Sequence, residues 1–420
     1  MTNPMSPPAR PATAQPLTAF RFIFVFGLVS ALMDVVYEGA RSVTGPFLGL
    51  LGASALLISV ISGAGEAVAL VLRLVFGRLA DRPRLRWALA VTGYGLTALS
   101  VPLLGITDAL WVACVFVLAE RLGKAVRSPA KDAMLAEAGT AVGRGKAFAL
   151  HEALDQVGAF IGPLLVGLSL ALSGSYGPGF LLLAVPGLAA MLVLFWLRRR
   201  VPDTSIYEPA HHVTSEADSA GGSEGAQVPA AAAVAGGLPR RFWLYAGFSS
   251  VTMFGYATFG LLSYHLVVNG LLAPAWIPVV YAFAMALDAV AALVSGWLYD
   301  RIGLRVLIVL PLLAAVVPWL GFSTNTALAV TGVMFWGAAM GVQESTMRAG
   351  VAELAPPLRR GSAYGIFTAC YGVAWLAGSI LIGALYQQSI LALAVTLTIV
   401  QAAALALFLA TRPHRSKLVH

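Results

Sequence analysis

The sequence predicts an all-α polytopic membrane protein with twelve transmembrane helices in two parallel six-helix repeats. Three observations carry that reading. Of the 420 residues, 59% are apolar and 11% charged, with a mean hydropathy of +0.83, whereas a soluble chain carries roughly 25% charged residues. The apolar residues gather into runs of the length a bilayer demands, about 20 residues each. A short glycine–aspartate–arginine pattern occurs twice, half a chain apart.

Taken in order, the first six runs lie at about 20–41, 54–77, 86–106, 109–131, 145–172 and 178–197. The second six lie at about 242–266, 274–299, 303–322, 326–350, 363–385 and 389–411. The tail 1–19 is Pro-rich and leads straight into a full-length apolar run, with no signal peptide, so the first span is expected to stay as an anchor entered from the cytoplasm. Between the sets, 201–239 has no Lys or Arg and carries Asp203, Glu208, Glu216, Asp218 and Glu224. Its Ala, Gly and Ser content marks a flexible linker, fenced by Arg198, Arg199 and Arg200 before and by Arg240 and Arg241 after. The expected units are therefore a tail 1–19, a bundle 20–200, the linker 201–239, a bundle 240–411 and a tail 412–420.

The formal charge of +8 is laid out as a membrane orients it. Even-numbered loops carry Arg82, Arg84 and Arg86, then Arg144 and Lys146, the linker fences, Arg301 and Arg305, and Arg359 and Arg360; the C-terminal tail adds Arg412, Arg415 and Lys417. Odd loops, around Thr107, Ser175, Asn269, Thr324 and Gln387, carry no Lys or Arg. Both termini and the linker are thus expected on the cytoplasmic side of the cell membrane, and no basic stripe suited to nucleic acid is present. Cys114 and Cys370 both fall in apolar runs, which excludes a disulfide framework and a Cys zinc site.

The repeat is explicit. Gly77-Arg-Leu-Ala-Asp81-Arg82 leaves the second span, and Gly296-Trp-Leu-Tyr-Asp300-Arg301 leaves the eighth, 219 positions later; Ala136-Glu137 is echoed by Ala352-Glu353. Two such halves joined by a linker form a known transporter architecture. Gly77-x-x-x-Asp81-Arg82-x-Arg84-x-Arg86 resembles motif A of the major facilitator superfamily. The fifth-span sequence Asp155-Gln-Val-Gly158-Ala-Phe-Ile-Gly162-Pro163 resembles motif C of its 12-span drug/proton antiporter branch. Arg121 matches the fourth-span arginine of motif B, although Lys124-Ala125 replaces the usual Gln-Gly. The resemblance implies a major facilitator fold, alternating access, and gating roles for Gly77, Asp81, Arg82, Gly296, Asp300, Arg301, Gly158, Gly162 and Pro163. In physical terms, the motif A glycines let helix ends approach, the aspartates cap a neighbouring helix start, and the motif C glycines allow tight packing beside a proline kink.

Ionisable groups inside spans are costly enough to need a partner or a task. Asp34, Glu38 and Arg41 recur at i, i+4 and i+7 on the first span; Glu120, Lys124, Arg127 and Lys131 form a second polar face on the fourth; Glu66 and Arg73 lie on the second. Counting 1.5 Å per residue from the apolar boundaries puts Arg121 and Asp155 at one depth, so these two are expected to pair, with Glu152 nearby. Asp34, Glu38, Arg121, Glu152 and Asp155 are the candidate proton-coupling residues. Arg41, Asp288, Glu344, Arg348, Tyr281 and Tyr371 are the candidate substrate-cavity residues, and Glu344 can pair with Arg348 one turn away. The aromatics of the second half, including Tyr256, Trp276, Trp336 and Trp375, suit either a cavity wall or an interfacial belt.

These features predict a proton-coupled exporter of small organic molecules, embedded in the bilayer and monomeric, with small-molecule substrate and protons as partners and with no nucleic acid. A metabolite symporter, a divalent-cation exporter and a membrane sensor or scaffold are the alternatives. His151-Glu152-Ala-Leu-Asp155 approaches the zinc-helix pattern but has no third ligand, and no Walker-type phosphate loop occurs, so neither enzyme chemistry, a resident metal nor a cofactor is expected.

Overall fold

The computed structural model describes residues 17–207, 238–356 and 359–410, and among them every regular element is helical. Ten segments are long and apolar enough to cross a membrane. One of them, Trp276–Gly321, contains two helices, and the helix Leu110–Val142 joins the set once its charges are set aside. The twelve passages are α1 (Ala19–Leu50), α2 (Ala55–Ala80), α3 (Pro83–Leu104), α4 (Leu110–Val142), α5 (Arg144–Ser173) and α6 (Tyr176–Arg200), then α7 (Arg240–Val268), α8 (Trp276–Ile302), α9 (Val309–Gly321), α10 (Thr326–Leu354), α11 (Arg360–Gln388) and α12 (Ile390–Ala410). An even number of passages returns the chain to the face where α1 begins, here the terminal face.

Two differences from the sequence reading matter. First, α4 continues eleven residues past the expected end at 131. Hydropathy marks lipid contact, and the last turns of α4 face protein and a polar cavity instead, so their charges do not end the helix. Second, α7 breaks between Phe254 and Phe259. Backbone groups freed inside a membrane must be satisfied by neighbours. Here the Trp336 indole donates to Ala257 O at 2.9 Å and Gln401 Nε2 to Thr252 O at 3.0 Å, both buried, while Tyr256 donates its hydroxyl to Trp336 O at 2.8 Å.

The buried apolar residues divide into two clusters, one drawn from 22–201 and one drawn mainly from 242–408. Gly158 and Gly162 hold α5 against α1: a Cβ at either position would strike a backbone carbonyl, Ala31 O or Val35 O. At the far face the halves meet closely, Gly45 of α1 lying on the backbone of Gly260 of α7 and Gly63 of α2 on the side chain of Ser379 of α11. Gly77 behaves otherwise than expected, since nothing lies within 4 Å of where its Cβ would be. Asp81 and Asp300 are likewise exposed, and Asp81 ends its own helix rather than capping another. These terminal-face groups stand apart because the molecule is open on that side.

Candidate functional site

Between the halves lies a cavity of about 870 Å³. Its lining runs from Asp34 and Glu38 in mid-helix to Arg73, Phe148 and Tyr364 near helix ends on the terminal face, so it opens there. The wall from the first half is mixed in charge, with Lys124, Arg127, Lys131, His151, Glu152 and Asp155; the wall from the second contributes Asp288 and Glu344. Asp288 is 3% exposed, and its Oδ1 has no hydrogen-bond partner.

Asp155 pairs with Lys131 at 3.4 Å and with His151, one turn earlier, at 3.2 Å. The expected Arg121–Asp155 pair is absent, and helix length explains why. Lys131 and Asp155 each lie twelve residues from Gly143, the hinge of the α4–α5 hairpin, so they share a depth. Arg121 lies ten residues deeper, about 15 Å at 1.5 Å per residue.

Arg121 belongs to a separate buried network. Glu66 Oε1 accepts from Arg41 at 2.9 Å and lies 3.5 Å from Arg121; Arg121 also contacts Glu120 at 3.4 Å and donates to the Tyr37 hydroxyl. Arg41 reaches Tyr37 OH at 3.2 Å and Glu38 at 3.7 Å. Lys124 Nζ sits 4.1 Å from the centre of the Tyr37 ring, a cation–π contact. Three carboxylates thus balance three cations around one tyrosine. Tyr37 was not singled out from the sequence, although its place three residues after Asp34 and four before Arg41 puts it on their face. The network lines a small cavity of about 40 Å³, whose wall on the other half includes Thr258, Trp336 and Trp375 beside the break in α7.

This network is joined to the other half where the Tyr281 hydroxyl of α8 donates to Glu38 Oε2. Tyr281 is fully buried against Phe259 and Trp336, with ring centres 4.4 and 6.1 Å away. Tyr281→Phe removes this bond while keeping the ring, so it is expected to change turnover several-fold and to cost about 1.5–3 kcal/mol of stability, the range for a hydrogen bond to a charged group; equal turnover would show that the bond does not bear on the conformational cycle.

The remaining expected residues distribute as follows. Arg41 lines both cavities, and Glu152 lines the large one. Tyr371 is outside both linings, packed at a tilt against Phe367 and Trp375, and its hydroxyl accepts from Gln343 Nε2 at 3.5 Å. The side chain of Arg348 lies outside the described residues. Pro163 sits within an unbroken α5, and Gly296 faces Ser345 Oγ, which a Cβ at that position would approach to 3.1 Å. Of the motif A arginines, Arg86 binds Ala80 O at 2.9 Å and Glu137, which also accepts from Thr204. The repeat partner of Glu137, Glu353, accepts from Tyr299 at 2.7 Å. Trp276 is 59% exposed, as a belt residue should be, whereas Tyr256, Trp336 and Trp375 are core.

Comparison with known proteins agrees with this architecture. The description of the Major Facilitator Superfamily matches residues 17–310 and 271–419. An uncharacterized protein of Mycobacterium tuberculosis (strain ATCC 25618 / H37Rv) is 52% identical over 402 residues, covering 96% of this chain and 95% of the relative. An uncharacterized MFS-type transporter of Methanocaldococcus jannaschii is 27% identical over 179 residues, 42% of this chain and 45% of that protein. Among solved structures, a nucleoside transporter superposes with a TM-score of 0.72 at 12% identity, covering 93% of this chain and 99% of that one. A bacterial homolog of the human lysosomal transporter Spinster, solved inward-facing and unoccupied, gives 0.69 at 13% identity over 96% of this chain and 100% of the other. With twelve helical passages, two halves around a shared cavity, and a family match across nearly its whole length, the chain belongs to the Major Facilitator Superfamily and is a multi-pass membrane transporter, not an enzyme.

Proposed function

We propose that the chain exports small cationic or amine-bearing organic molecules in exchange for protons, by alternating access between its halves. The observation that carries this reading is the large cavity, where Asp288 and Glu344 make one wall acidic while the other holds Asp155 between Lys131 and His151. Acidic groups on a wall backed by low-dielectric protein favour a cation more strongly than the same charges would in bulk water. On the opposite wall, a proton arriving at Asp155 neutralises the carboxylate and releases Lys131, giving the proton a means to alter the contact between α4 and α5. Asp34 and Glu38, on the adjoining face of α1, are the further proton acceptors. The charge asymmetry of the loops assigns the terminal face to the cytoplasm, and there Asp81 with Arg82, and Asp300 with Arg301, would latch the state closed on that side. A single chain supplies both walls, so the working unit is a monomer.

Proteoliposomes with an imposed pH gradient test this reading, using matched cationic, neutral and anionic compounds. Accumulation of cations against the proton gradient, weakened by Asp288→Asn or Glu344→Gln, is expected. Preference for anions regardless of Glu344→Gln would overturn the substrate class; movement of substrate with the protons would make the protein a symporter. Asp155→Asn is expected to abolish gradient-driven accumulation while substrate counterflow persists. Retention of full coupling would remove Asp155 from the proton path.

A further inference from the structure

We propose that the terminal face carries a binding site for the headgroup of an anionic phospholipid, between the start of α3 and the end of α6 and separate from the transport cavity. A pocket of about 460 Å³ is lined there by Arg84, Arg198 and Arg199 with Trp87, Phe195 and two prolines, and no acidic residue contributes to it. All three arginines are exposed, and among the described residues none of them forms an ion pair. Nearby acids are committed elsewhere: Asp203 accepts from Ser205 N at 3.0 Å, and Glu137 is held by Arg86 and Thr204. The basic loop therefore splits its arginines, Arg86 tied into the fold and Arg84 left to the pocket. The first turn of α3, where Arg84 lies, has no side-chain cap, which adds positive potential.

The surface below the pocket points to a lipid rather than a free anion. Leu188, Leu192 and Phe195 of α6 are 63%, 61% and 42% exposed. Their spacing of four and three residues makes one stripe, which reaches Arg198 and Arg199 a turn later. An acyl chain along that stripe brings its phosphate to the guanidiniums. Basic pockets between helices at a membrane face are suited to anionic headgroups. The repeat does not copy the α3 side of this site, since the 219-residue offset replaces Arg84 with Gly303 and Trp87 with Val306, so the site is not a general property of basic loops.

Native mass spectrometry of the full-length protein in detergent, titrated with phosphatidylglycerol or phosphatidylcholine, tests the proposal. Phosphatidylglycerol is expected to be retained preferentially. Each basic group near an anionic lipid is worth roughly fivefold, so Arg84→Gln/Arg199→Gln should weaken retention about thirtyfold, while Arg240→Gln/Arg241→Gln, equally exposed on the same face, should not. If the double variant melts early, Arg199→Gln alone should show the roughly fivefold loss. Equal weakening by the two double variants would reduce the site to a diffuse basic face and overturn the proposal. Displacement of the lipid by millimolar inorganic phosphate would assign the pocket to a soluble anion and overturn it as well.

Discussion

Glu66→Ala is expected to destabilise the folded protein by about 3–5 kcal/mol, the cost of stripping one partner from a buried ion pair. Glu66 Oε1 is the shared acceptor of two guanidiniums, at 2.9 Å from Arg41 and 3.5 Å from Arg121. Without it each arginine keeps only a contact of 3.7 Å to Glu38 or 3.4 Å to Glu120, besides the Tyr37 hydroxyl. Unlike a lysine, arginine cannot shed its proton to escape the penalty. The removed carboxylate also ties α2 to both α1 and α4, so its loss loosens the first half at the wall of the small cavity. Thermal unfolding in detergent, with the yield of monodisperse protein, measures the effect. Glu66→Gln should lose less, because an amide oxygen still accepts, and Arg41→Met in the Glu66→Ala background should restore part of the loss. A Glu66→Ala variant within about 0.5 kcal/mol of wild type, the range of ordinary surface changes, would mean that the network is open to water rather than buried.

The sequence already contained the helical passages, because hydropathy reports directly on the bilayer. It also contained the close packing of Gly158 and Gly162, since small residues four apart have few other uses in a span. What it could not supply was partnership. Arg41, Glu66 and Arg121 lie on three different helices, and no periodicity within one helix says which others it touches. The Arg121–Asp155 expectation failed for a related reason: depth was counted from the end of the apolar run, but α4 runs on to Val142 along a cavity wall where lipid contact no longer governs composition. The reading of Gly77 as a close-contact glycine describes an arrangement that this open terminal face does not have. The break in α7 had only Gly255 as a local signal, because its stabilising groups, Trp336 and Gln401, come from α10 and α12.

Gly45→Leu is expected to shift the protein away from the state described here, by making the far-face seal impossible to close. A Cβ at Gly45 would overlap the carbonyl of Gly260, and the next nearest atoms are the Gly260 carbonyl carbon and Ser263 Oγ at 2.7 Å. Two of these three belong to the backbone, so no rotamer change can clear them. Closure on the far face requires α1 and α7 to meet at this point, whereas a state open on that face separates them and leaves room for the side chain. Overpacking of this kind costs about 1–3 kcal/mol or more, and because the penalty applies to one state only, it converts into a population shift of roughly 5–150-fold. The readout is accessibility. In a background lacking Cys114 and Cys370, a single Ser62→Cys on the wall of the small cavity should react slowly with a membrane-impermeant maleimide added on the far side. Adding Gly45→Leu should accelerate that reaction at least about fivefold, the lower limit of the shift, and slow transport, since a cycle that cannot close one face cannot complete. Gly45→Ala should give an intermediate rate, its single methyl meeting the same carbonyl with less reach. Unchanged labelling in Gly45→Leu would show that the α1–α7 contact is not what holds the far face shut, and would move that role to α2 and α11, where Gly63 meets Ser379.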